Sequence, residues 1–208
     1  MTARVEQVVT SGVFSLDGQD FDVDNNVWLV GDDDEVLVID AAHDAGVIVD
    51  AVAGRHVVAL VCTHAHNDHI NAAGELAAAW QVSPRLHPAD DVLWHLTSPG
   101  LDFEPLHDGE TVGVAGIDLR VVHTPGHSPG GVCLYSRELD TVFSGDTLFA
   151  GGPGATGRSY SDFPTIIESI RNRLLTLPAQ TVVRPGHGAS TTVGTEAADV
   201  AEWLARGA

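Results

Sequence analysis

The chain has no lysine, only two cysteines, few aromatic residues (6%) and no apolar run near the roughly 20 residues that cross a membrane. Each shortage excludes something. Without lysine, arginine alone carries the fixed positive charge, and 10 basic residues against 29 acidic ones leave a net charge of −19. Nucleic-acid binders draw affinity from clustered Lys and Arg that displace counterions, so a nucleic-acid partner is excluded and the acidity describes a solvated surface. Two cysteines cannot form a disulfide framework. Cys62 and Cys133 lie inside apolar runs and are expected as reduced, buried thiols. The opening residues Met1 to Gln7 lack a hydrophobic signal region, so the chain is expected in the cytoplasm and off the membrane.

What remains is an ordinary globular composition, 44% hydrophobic and 19% charged, with 22 glycines and 10 prolines. In 208 residues without repeats or linkers this predicts a single domain spanning 1–208. Strands are expected at 5–10, 26–30 and 35–39, separated by turns at Leu16-Asp17-Gly18 and Gly31-Asp32-Asp33-Asp34. A helix over 46–54 leads to a buried strand over 56–62, a helix over 71–80, a strand at 84–87 and a helix over 89–96. Strands within 111–123, 131–136 and 141–144 then precede a helix over 163–175, a strand at 181–184 and a closing helix after Gly194. Two such halves, each a mixed sheet with helices on one side, stack into an α+β, four-layer αββα sandwich.

The chemistry concentrates in histidines. Thr63-His64-Ala65-His66-Asn67-Asp68-His69 follows the buried strand directly. Residues i and i+2 of an extended segment point the same way, so His64 and His66 can share a cation, while the turn into a helix redirects Asp68 and His69 toward a second. His127 in Thr124-Pro125-Gly126-His127 and His187 in Arg184-Pro185-Gly186-His187 sit on Pro-Gly turns just after strands, where the backbone fixes the direction of a ligand. Asp146 ends the apolar strand Val142-Phe143-Ser144-Gly145, and its two oxygens could bridge two cations. The other histidines are expected in structural or surface roles, His43 among them.

Taken in order, His64, His66, Asp68, His69, His127, Asp146 and His187 resemble the ligand series of the metallo-β-lactamase superfamily. The resemblance covers nearly the whole chain. It implies the αββα fold and two divalent metal ions, one held by His64, His66 and His127, the other by Asp68, His69 and His187, with Asp146 shared. Zinc is expected, with iron and manganese as alternatives, because His and carboxylate ligands accept all three. Asp40, in Asp40-Ala41-Ala42-His43, occupies a family motif that usually runs Asp-Thr-Gly and is expected behind the ligands, orienting a histidine.

Such a pair of cations can hold hydroxide at neutral pH, which makes the expected reaction a hydrolysis, with Asp68 and His69 also orienting the nucleophile. Gly145-Asp146-Thr147-Leu148-Phe149, with Gly151-Gly152 and Gly157-Arg158, is similar to the glyoxalase II branch, whose members cleave thioesters of a small thiol carrier. This chain adds Pro153-Gly154-Ala155-Thr156 before Gly157-Arg158 and ends without that branch's extra helical domain, so a less anionic carrier than glutathione is expected. Arg158 and Tyr160 are candidate contacts to the small-molecule thioester. An iron-dependent persulfide dioxygenase, using the equivalents of His64, His127 and Asp146, and a lactonase are the alternative readings, with a binding module that has lost its chemistry as a non-enzymatic one. Homo-oligomerisation stays open.

Overall fold

The computed structural model describes residues 2–16 and 19–207. Asp17 and Gly18 of the first expected turn lie outside the described residues. The first half contains β1 (Arg4–Leu16), β2 (Gln19–Gly31), β3 (Glu35–Ile39), α1 (Ala45–Val52), β4 (His56–Val61), α2 (Asn67–Ile70), α3 (Ala73–Trp80), β5 (Pro84–Leu86), α4 (Asp91–Thr97) and β6 (Glu104–Pro105). Its six strands lie in sequence order, antiparallel from β1 to β3 and parallel from β3 to β6. The second half contains β7 (Thr111–Val114), β8 (Ile117–His123), β9 (Val132–Ser136), β10 (Thr141–Gly145), the short pair β11 (Leu148–Phe149) and β12 (Gly152–Pro153), α5 (Phe163–Ser169), β13 (Val182–Pro185), β14 (Thr191–Thr192), α6 (Val193–Ala197) and α7 (Val200–Arg206). Its main sheet runs β14-β13-β10-β9-β8-β7.

Strand parity builds the layers, because successive side chains leave a strand on opposite faces. In β3, Leu37 and Ile39 join Trp28 and Val30 of β2 against Leu119, Val121, Leu134 and Phe143 of the second sheet. Val36 and Val38 point the other way, under Ile48 of α1 and Leu76 of α3. On the second sheet Val122, Cys133 and Val142 face outward and pack with Ile166, Ile170 and Trp203. The result is helices, sheet, sheet and helices, the expected αββα sandwich. Both cysteines are free and buried. No helix among the described residues is long and apolar enough to cross a membrane.

The first hairpin differs from the sequence expectation. Its strands run thirteen residues each rather than five or six. Beyond Asn26 the pattern weakens into Asp20, Asp22 and Asp24, residues that disfavour strands, but Ser11 and Ser15 donate across the hairpin to Asp24 and Asp20 at 2.6 and 2.7 Å. The helix expected over 71–80 is found as α3, and a short turn of helix at Asn67–Ile70, not expected as such, precedes it and carries Asp68 and His69. The helix expected over 89–96 begins as a 3₁₀ turn at Pro88–Asp90, and the one over 163–175 ends in a π-helical turn at Ile170–Leu174.

The topology sets the position of the site. β3 and β4 are parallel, and β8, β10 and β13 run in one direction because β9 is antiparallel to both β8 and β10 while β13 is parallel to β10. Asp40, His64, His127, Asp146 and His187 each follow the carboxyl end of one of these strands. Ligands of open α/β sheets gather at such carboxyl ends.

Candidate metal centre

The donor atoms fall into overlapping groups: His64, His66 and His127; His64, His69 and Asp146; and Asp68, His69 and His187. Nδ1 of His66 faces Nε2 of His64 at 3.0 Å and Nε2 of His127 at 2.9 Å. Nε2 of His69 lies 3.1 Å from Nε2 of His187 and 3.5 Å from Asp68 Oδ2. Asp146 stands between the groups, with Oδ1 3.4 Å from His69 Nε2 and Oδ2 3.5 Å from Nε2 of both His127 and His187.

The far side of each ring decides which nitrogen is free. His127 and His187 donate from Nδ1 to the carbonyls of Ala155 and Asp24, both at 2.8 Å. His69 donates from Nδ1 to Asp40 Oδ2 at 3.0 Å. Thr63 Oγ1 gives its proton to Asp40 Oδ2 at 2.8 Å and so accepts from His64 Nδ1 at 3.1 Å. In the neutral ring of each, the inward nitrogen carries a lone pair, and lone pairs facing one another near 3 Å repel unless a cation or proton lies between them. Bonds of about 2.0–2.1 Å to one tetrahedral ion place two donors about 3.3 Å apart, close to the spacings here. Asp146 Oδ1 is buried without a hydrogen-bond partner, a costly state that a cation would relieve. The residues present therefore fit a metal pair.

Burial, reinforced by neighbouring imidazoles, pushes His64 well down and His66 to about 3, leaving both neutral. His69 and His187 behave oppositely. Burial opposes their charge, but Asp146 and Asp68 overcome it, holding His69 well up and His187 at about 10. Asp68 and Asp146 are themselves held well below the usual carboxylate range, against burial, chiefly by His69.

Two glycines permit this convergence. A Cβ on Gly145, whose φ is +47°, would lie 2.4 Å from Thr63 Oγ1. One on Gly186 would lie 2.5 Å from Asp146 Oδ1 and from His69 Cε1.

The structure brings all seven expected donors to one place and sets Asp40 directly behind His69 and, through Thr63, behind His64. Three contributors were not singled out from the sequence. Asp90 is fully buried and accepts from Ala65 N at 2.9 Å, Ser128 Oγ at 2.8 Å and Gly130 N at 2.5 Å, joining the segment of His64 and His66 to the turn of His127. Burial pushes its carboxyl up. Asn25 donates to Asp68 Oδ2 at 3.2 Å. His43, for which a structural or surface role was expected, takes a structural one: Asn71 donates to its Nδ1 at 3.0 Å, so its Nε2 donates to Asn25 Oδ1 at 2.8 Å and turns the Asn25 amide toward Asp68. No sequence signal marked these three, because each acts across at least 18 residues. His87 and His123 stack at 4.0 Å away from the donors. Arg158 and Tyr160 line a cavity that also reaches His66.

A buried imidazole and carboxylate cluster at the mouth of an αββα sandwich defines a metal-dependent hydrolase type of protein. The chain belongs to the metallo-β-lactamase superfamily, whose pattern it matches over residues 21–187. It is 34% identical to the probable metallo-hydrolase YqgX of Bacillus subtilis, over 82% of this chain and 88% of that protein. It is 30% identical to the hydroxyacylglutathione hydrolase GloC of Haemophilus influenzae, over 82% and 89% of the two chains. Among solved structures, the di-iron-bound form of TTHA1623 superposes with a TM-score of 0.75 at 35% identity, covering 84% of this chain and 93% of that one.

Proposed function

We propose that the chain is a dinuclear metal-dependent thioesterase that hydrolyses S-acyl or S-formyl conjugates of a low-molecular-weight thiol in the cytoplasm. The observation that carries this reading is the facing of the ring nitrogens of His64, His66 and His127 at 2.9–3.0 Å across one cavity, beside the orphaned carboxylate oxygen of Asp146. His64, His66 and His127 would hold one ion and Asp68, His69 and His187 the other, with Asp146 between them. Two divalent ions supply, when bound, Lewis acidity toward the substrate carbonyl and a water whose pKa falls to about 7. Similarity to a hydroxyacylglutathione hydrolase supports the thioester class, and the di-iron form of a similar protein makes iron as well as zinc a metal to assay.

The chain's own residues do the rest. Asp40 holds the rings of His69 and His64 in the tautomers that present Nε2 to the cavity. Asp68 lines the open cavity with His66, His127, Asp146 and His187, whereas His69 is fully buried. Orienting the attacking water therefore rests with Asp68, steered by Asn25, and His69 serves as a ligand.

Elemental analysis of purified protein together with a thioester screen tests the reading. About two ions per chain and turnover of at least one thioester are expected. One iron per chain with oxygen uptake on glutathione persulfide would replace it with the dioxygenase, and turnover of lactones alone would replace it with the lactonase.

A further inference from the structure

Beside the donor cavity, which measures about 390 Å³, lies a second cavity of about 400 Å³, within the roughly 300–1,000 Å³ of small-molecule sites. Phe14, Leu93, Leu96 and Tyr160 supply its apolar walls. Phe14, His66 and Arg158 line both cavities, so the two adjoin. Arg158 lies with its guanidinium carbon 5.4 Å from the centre of the Phe14 ring and, among the described residues, is the only arginine lining either cavity.

Leu93 also belongs to the core, but Leu96 and Tyr160 are not explained by folding. Leu96 is 71% exposed and Tyr160 53%, and neither belongs to a buried core cluster. Large apolar side chains left at the rim of a concave site mark ligand contact. Tyr160 is also held at φ +70°, a left-handed conformation that side chains other than glycine adopt reluctantly. The turn that imposes it is tied by Arg158 N donating to Ser161 Oγ at 3.0 Å and Ser161 N donating to Arg158 O at 3.1 Å. That turn aims Arg158 at the junction and Tyr160 at the apolar side.

We propose that this second cavity receives an apolar arm of the substrate, an alkyl or aryl group of several carbons attached to the bond being cleaved, with Phe14, Leu93, Leu96 and Tyr160 as its specificity-determining walls. The proposal rests on the hydrolase reading and adds the substrate class. A polar head alone would leave this apolar surface wetted, whereas each methylene buried there is worth about 0.8 kcal/mol, a factor of about four. The arm belongs either to the acyl half or to the thiol half, and the two are separable by synthesis.

The metal-loaded protein is assayed with two series. In one, N-acetylcysteamine carries acetyl to octanoyl groups; in the other, an acetyl group is carried by alkyl thiols from ethyl to octyl. One series should show kcat/KM rising by up to about fourfold per methylene until the cavity is full. Leu96→Glu should flatten that rise, and Leu96→Trp should shift its plateau to shorter chains; because Leu96 is exposed, both variants should keep the fold. Rates independent of length in both series overturn the inference and leave the hydrolase standing. If no thioester is turned over, the thioesterase reading falls alone, and the cavity is read by calorimetry with uncleavable thioether ketones. Binding at least tenfold tighter for an octyl than for a methyl ketone, lost in Leu96→Glu, supports the cavity, and equal binding overturns it.

Discussion

His64, His66 and His127 meet as three imidazoles, the first two driven neutral by burial, while His69 and His187 are pulled up by the carboxylates of Asp146 and Asp68 that face them. The supports differ as well. Asp90 braces the first set through two backbone amides and a hydroxyl, and Asp40 with the His43–Asn25 relay braces the second. The first set offers a cation ready lone pairs. The second must release protons to accept one, so its affinity should depend more steeply on pH.

The largest test removes what the two sets share. Asp146→Ala should lower thioester turnover by about a thousandfold, equivalent to several kcal/mol of transition-state stabilisation, with metal content falling in elemental analysis. An unchanged metal content would mean that the two sets are independent. Next, chelation should lower the melting temperature by about 10 °C, since ligand at a thousand times its dissociation constant stabilises by about 4 kcal/mol and each kcal/mol moves a chain of this size by about 2–4 °C.

Smaller effects separate the halves. Asp90→Asn and Asp40→Asn should each weaken the binding of one ion by about 10–100-fold, with Asp90→Asn acting on the first set and Asp40→Asn more on the second, as read by competition with a chromophoric chelator. Equal loss at both sites in either variant would erase the distinction. In the stripped protein, His187 titrates near 10 when folded against 6.5 unfolded. Its contribution to stability is therefore complete below about pH 6.5 and lost as pH rises toward 10, which urea midpoints across that window would register. The smallest effect belongs to His43→Phe. Of the two side-chain hydrogen bonds it removes, the one to Asn25 bears on the site, and its loss, about 1 kcal/mol, should weaken the second set about fivefold and leave the first unchanged.

The convergence of the seven expected donors was legible in the sequence because each stands within a few residues of a strand end, six of them in the His-x-His-x-Asp-His segment or on a Pro-Gly turn and Asp146 closing an apolar strand. The layer order was legible from the order of strands and helices in the two halves. Asp90 was not, because its partners Ser128 and Gly130 lie about forty residues away and meet it only when the sheets dock. Nor were the carbonyls of Asp24 and Ala155, since any residue supplies a carbonyl and its identity carries no signal. The outer half of the first hairpin was missed because its side chains bury little, leaving no apolar alternation to read.

That outer hairpin has an evolutionary corollary. Residues 19–27 of β2 pair with β1 alone, and only Trp28–Gly31 join β3, yet Phe14 at its far end lines both cavities. Insertions, deletions or swaps in this ribbon can remodel what the enzyme admits while leaving the sandwich beneath intact, so related proteins should diverge in appetite here sooner than in chemistry.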